Sequence, residues 1–136
     1  MTRKEFQQLA TERTEDAEAL LQADRFSCAY YVGGYAVECA LKACIAGQTR
    51  QDDFPPRDAI KYYTHDLVRL LEIAGLGTEH AEYAEQDAIF RQNWGIVRQW
   101  NEEARYQTFT QEQAAKLLTA ITDPQNGVLQ WLKRSW

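Results

Sequence analysis

AYYVGGYAVECALKA, residues 29–43, decides the fold. Within the longer stretch 25–46, Phe26, Tyr30, Gly33, Val37, Leu41 and Cys44 recur at steps of three and four, which predicts a buried helix. Ala29, Gly33, Ala36 and Ala40 are small enough to let a second helix approach closely. Gly33-Gly34 inside a helix costs about 1 kcal/mol per glycine relative to alanine. Close packing offsets such a cost; a ligand against the backbone is the alternative. Beside the apolar stripe runs a polar strip. Glu38 and Lys42 are four residues apart and share a face, Gly34 lies one turn before Glu38, and Tyr31 and Tyr35 project on the same side. On spacing alone, Glu38 and Lys42 form an ordinary surface ion pair worth about 0.3–0.5 kcal/mol. The same strip also suits a polar site at the border of the core.

Outward from this helix the pattern stays helical. Residues 2–23 carry Phe6, Leu9, Ala10, Ala17, Leu20 and Leu21 at helical spacing, with Arg13 at the edge of the stripe, and Asp24 is the expected cap of the helix that follows. Gly47 is the expected stop and QTRQDDFPPRD, residues 48–58, a polar loop. A third helix, starting near Asp58 or at Thr64, carries Leu67, Leu70, Leu71 and Ile73 and ends at Gly75-Leu76-Gly77. Thr78 opens a fourth, whose stripe is Tyr83, Asp87, Phe90, Trp94 and Val97. After the connection 101–108, Thr110 and Gln113 form a capping box for a fifth helix bearing Ala114, Leu117, Leu118 and Ile121. Asp123-Pro124 ends it, and VLQWLKRSW packs back as a short last helix. No strand pattern or internal repeat is present. The expected fold is all-α: one domain over residues 1–136, an antiparallel bundle of four or five main helices plus a short C-terminal one. Its expected core holds Leu20, Tyr30, Val37, Leu41, Leu70, Phe90, Trp94, Val97, Leu118 and Trp131.

Composition narrows the function classes. A chain of 136 residues buries enough surface to fold without metal or disulfide. A formal net charge of −5 removes long-range attraction to nucleic acid and leaves room only for a local basic pocket. Cys28, Cys39 and Cys44 match no zinc or redox spacing and read as small buried thiols in a reducing cytosol. Residues 1–16 are polar, unlike a signal peptide, and the apolar stretch 26–46 contains Glu38 and Lys42, too polar for a membrane span. A cytoplasmic location is expected. No phosphate-cradling glycine loop, metal motif or cofactor motif occurs, so neither metal nor cofactor is expected.

Two further pieces could carry chemistry. His65, in YYTHDL, stands at a helix start, where an imidazole suits proton transfer and a helix N-terminus adds donors for an anion. His80, in GTEHAEYAE, reads as a solvated residue. Arg105 offers a planar fork that fits phosphate, and Tyr106 beside it could stack on a base; both could instead anchor the connection to the fifth helix.

AYYVGGYAVECALKA at 29–43, THDLVRLL at 64–71 and WNEEARY at 100–106, in that order, resemble the HEPN family, and NGVLQWLKRSW resembles the end of one bacterial branch. The resemblance implies an antiparallel, usually dimeric bundle. Many members of that family are metal-independent ribonucleases of toxin or defence systems, and others bind nucleotides or assist a partner nucleotidyltransferase. In the ribonucleases an Arg precedes a His by four to six residues. Here seven residues separate Arg57 from His65 and ten separate Arg69 from His80, so that pair carries over to no position. What the resemblance does carry over is Tyr35, Glu38, Lys42, His65, Asp66, Arg105 and Tyr106 as ligand-binding residues.

Three functions stand open. The first is a homodimeric binding or regulatory protein that takes a nucleotide or RNA, or works beside a nucleotidyltransferase or another partner protein in a toxin–antitoxin or defence system. The second is a divergent metal-independent endoribonuclease, with His65 as acid or base and Arg105 stabilising charge on phosphorus. The third is a structural helical adaptor.

Overall fold

A computed structural model describes residues 1–48 and 64–136. Among these, seven α-helices and one 3-10 turn occur and no strand: α1 Arg3–Gln22, α2 Phe26–Gly47, α3 Leu67–Ile73, α4 Gly77–Gln86, α5 Ala88–Val97, the 3-10 turn Glu102–Tyr106, α6 Gln111–Thr122 and α7 Val128–Lys133. The all-α bundle expected from periodicity is the fold.

The helix α2 is the axis of the bundle. It packs against α1, α6, α3, the 3-10 turn and α7. The pair α1–α2 is antiparallel: the chain reverses over residues 23–25, and the Arg3 side chain lies 3.1 Å from where a Cβ on Gly47 would stand. The glycine pair is explained by packing. A Cβ on Gly33 would come within 2.9 Å of Leu118 Cδ2, and one on Gly34 would overlap the Trp100 ring. Trp100 is thereby laid flat on α2, and its side chain is buried.

Local chemistry sets the helix ends. Thr2 and Thr110 both form capping boxes, with Glu5 and Gln113 respectively. Asp66 caps α3 by accepting from Val68 N at 3.0 Å and Arg69 N at 3.2 Å. Expected starts for this helix near Asp58 or at Thr64 fall, respectively, outside the described residues and three residues too early. Asp24 is not a cap. It adopts φ 61, a left-handed conformation that aspartate tolerates better than most residues, and α2 has Arg25 at its N-cap, with no side-chain cap bond.

The expected fourth helix is two helices. Asp87 breaks it, taking extended φ/ψ and accepting from Phe90 N at 2.9 Å. A carboxylate at that spacing competes with the helical ladder and starts a new helix. Asn126 donates to the other Asp87 oxygen at 2.8 Å, so the break is tied to the α6–α7 connection.

Of the ten expected core residues, eight are buried, while Leu20 and Tyr30 are only partly so and lie on the core's rim. Cys39 and Cys44 are buried as expected, but Cys28 is exposed. His80 is the clearest correction. It is not solvated but 8% exposed, ringed by Phe90, Trp94 and Trp131 at 5.4, 4.7 and 5.4 Å between ring centres. Burial, followed by the nearby Arg98 charge, pushes its pKa below the ordinary imidazole value.

Candidate functional site

The polar strip on α2 is not a surface feature. Glu38 is 2% exposed, within a stretch of α2 that is buried almost throughout. A buried carboxylate must be paired. Glu38 is paired twice: Oε2 lies 3.2 Å from Lys42 Nζ, and Oε1 lies 2.8 Å from His65 Nδ1. Side-chain exposure rises outward from Glu38 (3%) through Lys42 (13%) to His65 (46%). The reading of Glu38 and Lys42 as an ordinary surface pair is therefore corrected. The spacing was right, but the contribution of such a pair depends on burial, which spacing does not encode.

His65 reaches Glu38 because the backbone around it is fixed. Asp66 spends one carboxylate oxygen on the first α3 amides, and Thr64 Oγ1 accepts from Asp66 N at 3.2 Å. The Val68 and Arg69 amides are thus already engaged and are not free for an anion. Gln48, at the end of α2, donates to the Ala74 carbonyl and holds the far end of α3. A neutral His65 facing a carboxylate presents Nδ1–H to it, which leaves the Nε2 lone pair directed away from Glu38.

Tyr35, one turn before Glu38 and one turn before Cys39, is half-buried. Burial first, then the nearby Cys39 and Glu38 charges, pushes its hydroxyl up to about 12. Burial likewise pushes Cys39 up to about 11. Both groups stay protonated at neutral pH and act as neutral neighbours of the Glu38 carboxylate.

Arg105 and Tyr106 stand at the other end of the strip, on the 3-10 turn. The Arg105 guanidinium lies 4.8 Å from the centre of the Tyr106 ring, and Tyr106 is 74% exposed. Tyr106, with a smaller contribution from Tyr31, holds the Arg105 proton more tightly than usual. Tyr31 in turn stacks on Trp100 at 6.1 Å and on Tyr35 at 6.4 Å. The structure thus brings Glu38, Lys42 and His65 into direct contact, with Tyr35 next to them and Asp66 serving as a cap. The 3-10 turn that carries Arg105 and Tyr106 packs on α2, and no hydrogen bond or ion pair joins Arg105 to Glu38 among the described residues. Tyr31 and Glu38 are seven residues apart, about 10 Å along the helix axis.

Two contributors were missed. Cys39 follows Tyr35 by one helical turn, a signal available in the spacing. Arg13 of α1 approaches Cys39 closely enough for its charge to oppose the rise in the thiol pKa, while its guanidinium meets Asp16 at 3.1 Å and Glu12 at 3.5 Å. Its interruption of the α1 apolar stripe was the available sign. Among the described residues, no group of three or more His, Cys, Asp or Glu side chains could hold a metal ion, and no helix is long and apolar enough to cross a membrane.

Against known proteins, the family model described as the HEPN domain matches residues 4–134, nearly the whole chain. No curated protein and no solved structure gives a match.

Proposed function

The chain belongs to the HEPN domain family, and from that premise we propose that it is a nucleotide- or RNA-associated binding protein acting with a partner. Glu38 is the observation that carries this reading. A carboxylate 2% exposed, joined to both Lys42 and His65, costs desolvation that a surface ion pair would avoid. What it gains is orientation. One lysine and one histidine are held side by side, with Lys42 donors left to meet a phosphate oxygen and the His65 Nε2 lone pair left to accept from a ribose hydroxyl or a base N–H. Arg105 and Tyr106, on the 3-10 turn that packs on α2, offer a planar fork and an exposed ring to the rest of a nucleotide chain.

The net charge of −5 fits a partner that presents the ligand better than long-range capture of free RNA. A nucleotidyltransferase is the partner class the family resemblance points to, in a toxin–antitoxin or defence setting, with the chain itself as a homodimer. The ribonuclease alternative rests on a specific feature: a carboxylate-oriented imidazole can accept a proton at Nε2. Among the described residues the imidazole's neighbour, the Glu38 carboxylate, is spent on Lys42 and on His65 itself, which leaves no second free proton carrier beside the ring.

Fluorescence anisotropy with a labelled oligoribonucleotide, competed by free nucleotides, tests the proposal. Lys42→Ala and Arg105→Ala are each expected to weaken binding about tenfold, as loss of a charged hydrogen bond does. Absence of binding by the unaltered protein, or equal binding by all three proteins, would overturn it.

A further inference from the structure

A concave feature lies between α4 and the C-terminal end of α7, lined by none of the Glu38 strip residues. The cleft measures about 350 Å³, and Tyr83, Trp131, Glu79, Glu82 and Arg134 are among its lining. This volume sits at the small end of ligand sites, which run from about 300 to 1,000 Å³. Two aromatic side chains are part of the wall. Trp131 is 8% exposed and is backed by the buried His80, whose ring meets it edge-on at 5.4 Å. Tyr83 is braced by Phe90 at 4.8 Å, also edge-on. The aromatic wall is therefore held by the core and does not depend on a loop.

The cleft already seats a guanidinium. Arg134 places its Cζ 5.5 Å from the centre of the Tyr83 ring, within cation–π range. Glu79 and Glu82, three residues apart on α4 and both exposed, add negative charge to the rim. An aromatic face with adjacent carboxylates is complementary to a planar cation and repels a phosphate. The electrostatic sense is the reverse of that of the Lys42–His65 pair. We propose that this cleft is a docking site for an arginine side chain on a basic segment of a partner protein, and that Arg134 is a tethered occupant which the incoming arginine displaces. The overall charge of −5 favours such a partner, and the ring faces select arginine over lysine because a guanidinium stacks and an ammonium does not.

The site makes opposite predictions for its own charges. The probes are two labelled peptides of equal length and charge, one with arginines and one with lysines, titrated at 0.1 M salt. Binding is read by anisotropy and by the Trp131 indole signal in NMR spectra. The arginine peptide is expected to bind about tenfold tighter than the lysine peptide and to shift the Trp131 signal. Glu79→Gln/Glu82→Gln and Tyr83→Leu are expected to weaken it about tenfold, whereas Arg134→Gln tightens it severalfold by removing the competitor. Glu15→Gln/Glu18→Gln, an exposed pair on α1 with the same spacing, controls for net charge and should leave binding unchanged. Equal losses in the two glutamate pairs, equal binding of the two peptides, an unmoved Trp131 signal or weaker binding by Arg134→Gln would each overturn the proposal.

Discussion

Glu38 and His65, twenty-seven residues apart in the chain, meet at 2.8 Å between Oε1 and Nδ1, and that contact ties α2 to the start of α3. It joins a buried carboxylate to a half-exposed ring, so it fixes which ring nitrogen faces outward.

The neutral form of His65 is expected to be the Nδ1–H tautomer. Long-range nitrogen–proton NMR correlations distinguish the two tautomers directly. In Glu38→Gln the amide can accept or donate, so the preference should weaken. A dominant Nε2–H pattern in the unaltered protein would contradict the arrangement.

Glu38→Ala should destabilise the fold by about 3 kcal/mol, because Lys42 is left only 13% exposed with its carboxylate gone. Glu38→Ala/Lys42→Met should recover part of that loss, since removing both partners of a buried pair costs less than removing one. Urea midpoints for the two variants decide the matter. A loss under about 0.5 kcal/mol for Glu38→Ala would mean that the pair behaves as a surface one.

The two adjacent glycines should respond differently to alanine. In Gly34→Ala the new methyl overlaps the Trp100 ring, which is 3% exposed and cannot swing away, so a loss of about 2 kcal/mol or more is expected. In Gly33→Ala the nearest atom, at 2.9 Å, is the tip of Leu118, which can rotate. The gain in helix propensity of about 1 kcal/mol then leaves the net change within about 1 kcal/mol of zero. Denaturant titration of both variants separates the cases.

His80 should give the protein a dependence on mild acid. Its folded pKa lies below the value of 6.5 it has when free, so above that pH neither state is protonated there and the group contributes no slope. As pH falls through 6.5, the unfolded chain takes up a proton that the folded chain refuses, and stability drops until the folded pKa is passed. Its Nε2 has no partner among the described residues, so an apolar ring removes little. His80→Phe should therefore flatten the stability curve between pH 7 and pH 5. An identical slope in the variant would place the acid sensitivity elsewhere. Asp87 and Asp123, whose pKa values are held down by backbone amides, and in Asp87 also by Asn126, lose their contributions only below 3.8, outside this window.

The domain alone is expected not to cleave RNA efficiently. Cleavage through the 2′-hydroxyl needs one group to take a proton and another to return one, with positive charge at phosphorus. His65 is the one imidazole at the candidate site, His80 being enclosed in the aromatic core, and Glu38 offsets part of the charge of Lys42. Incubation of the purified protein with total RNA and chelator, followed by gel analysis, tests this. Robust cleavage lost in His65→Ala would establish the ribonuclease reading instead.

Much of this fold was legible because burial follows period. Val37, Leu41, Leu70, Phe90, Trp94 and Val97 sit where a spacing of three and four puts them. Capping chemistry was legible at Thr110 and Gln113, where both partners lie within one turn. Asp87 misled because its place in the Tyr83–Phe90 spacing and its power to cap were both real; the cap prevails, and Asn126, far along the chain, holds the other carboxylate oxygen. His80 misled through its polar neighbours, although Ala84, four residues on, shares its buried face. At the candidate site, Glu38 and Lys42 were visible as a pair, but their burial was not. It depends on the packing around α2, including His65 arriving from the segment before α3 and Trp100 lying on Gly34, and neither is encoded locally.

The 3-10 turn is suspended from α2 at two points. Before it, Trp100 lies on Gly34; after it, the Phe109 ring stacks on Tyr30 at 3.7 Å while Phe109 N donates to Ser27 Oγ at 2.9 Å. Both anchorages belong to the helix that also carries Glu38 and Lys42. One rigid rod therefore gauges the separation between the exposed Arg105–Tyr106 pair and the buried ion cluster. Lengthening the connections at either end of the turn would slacken the span without moving the rod, so the distance between the two groups could be retuned while the bundle stays intact.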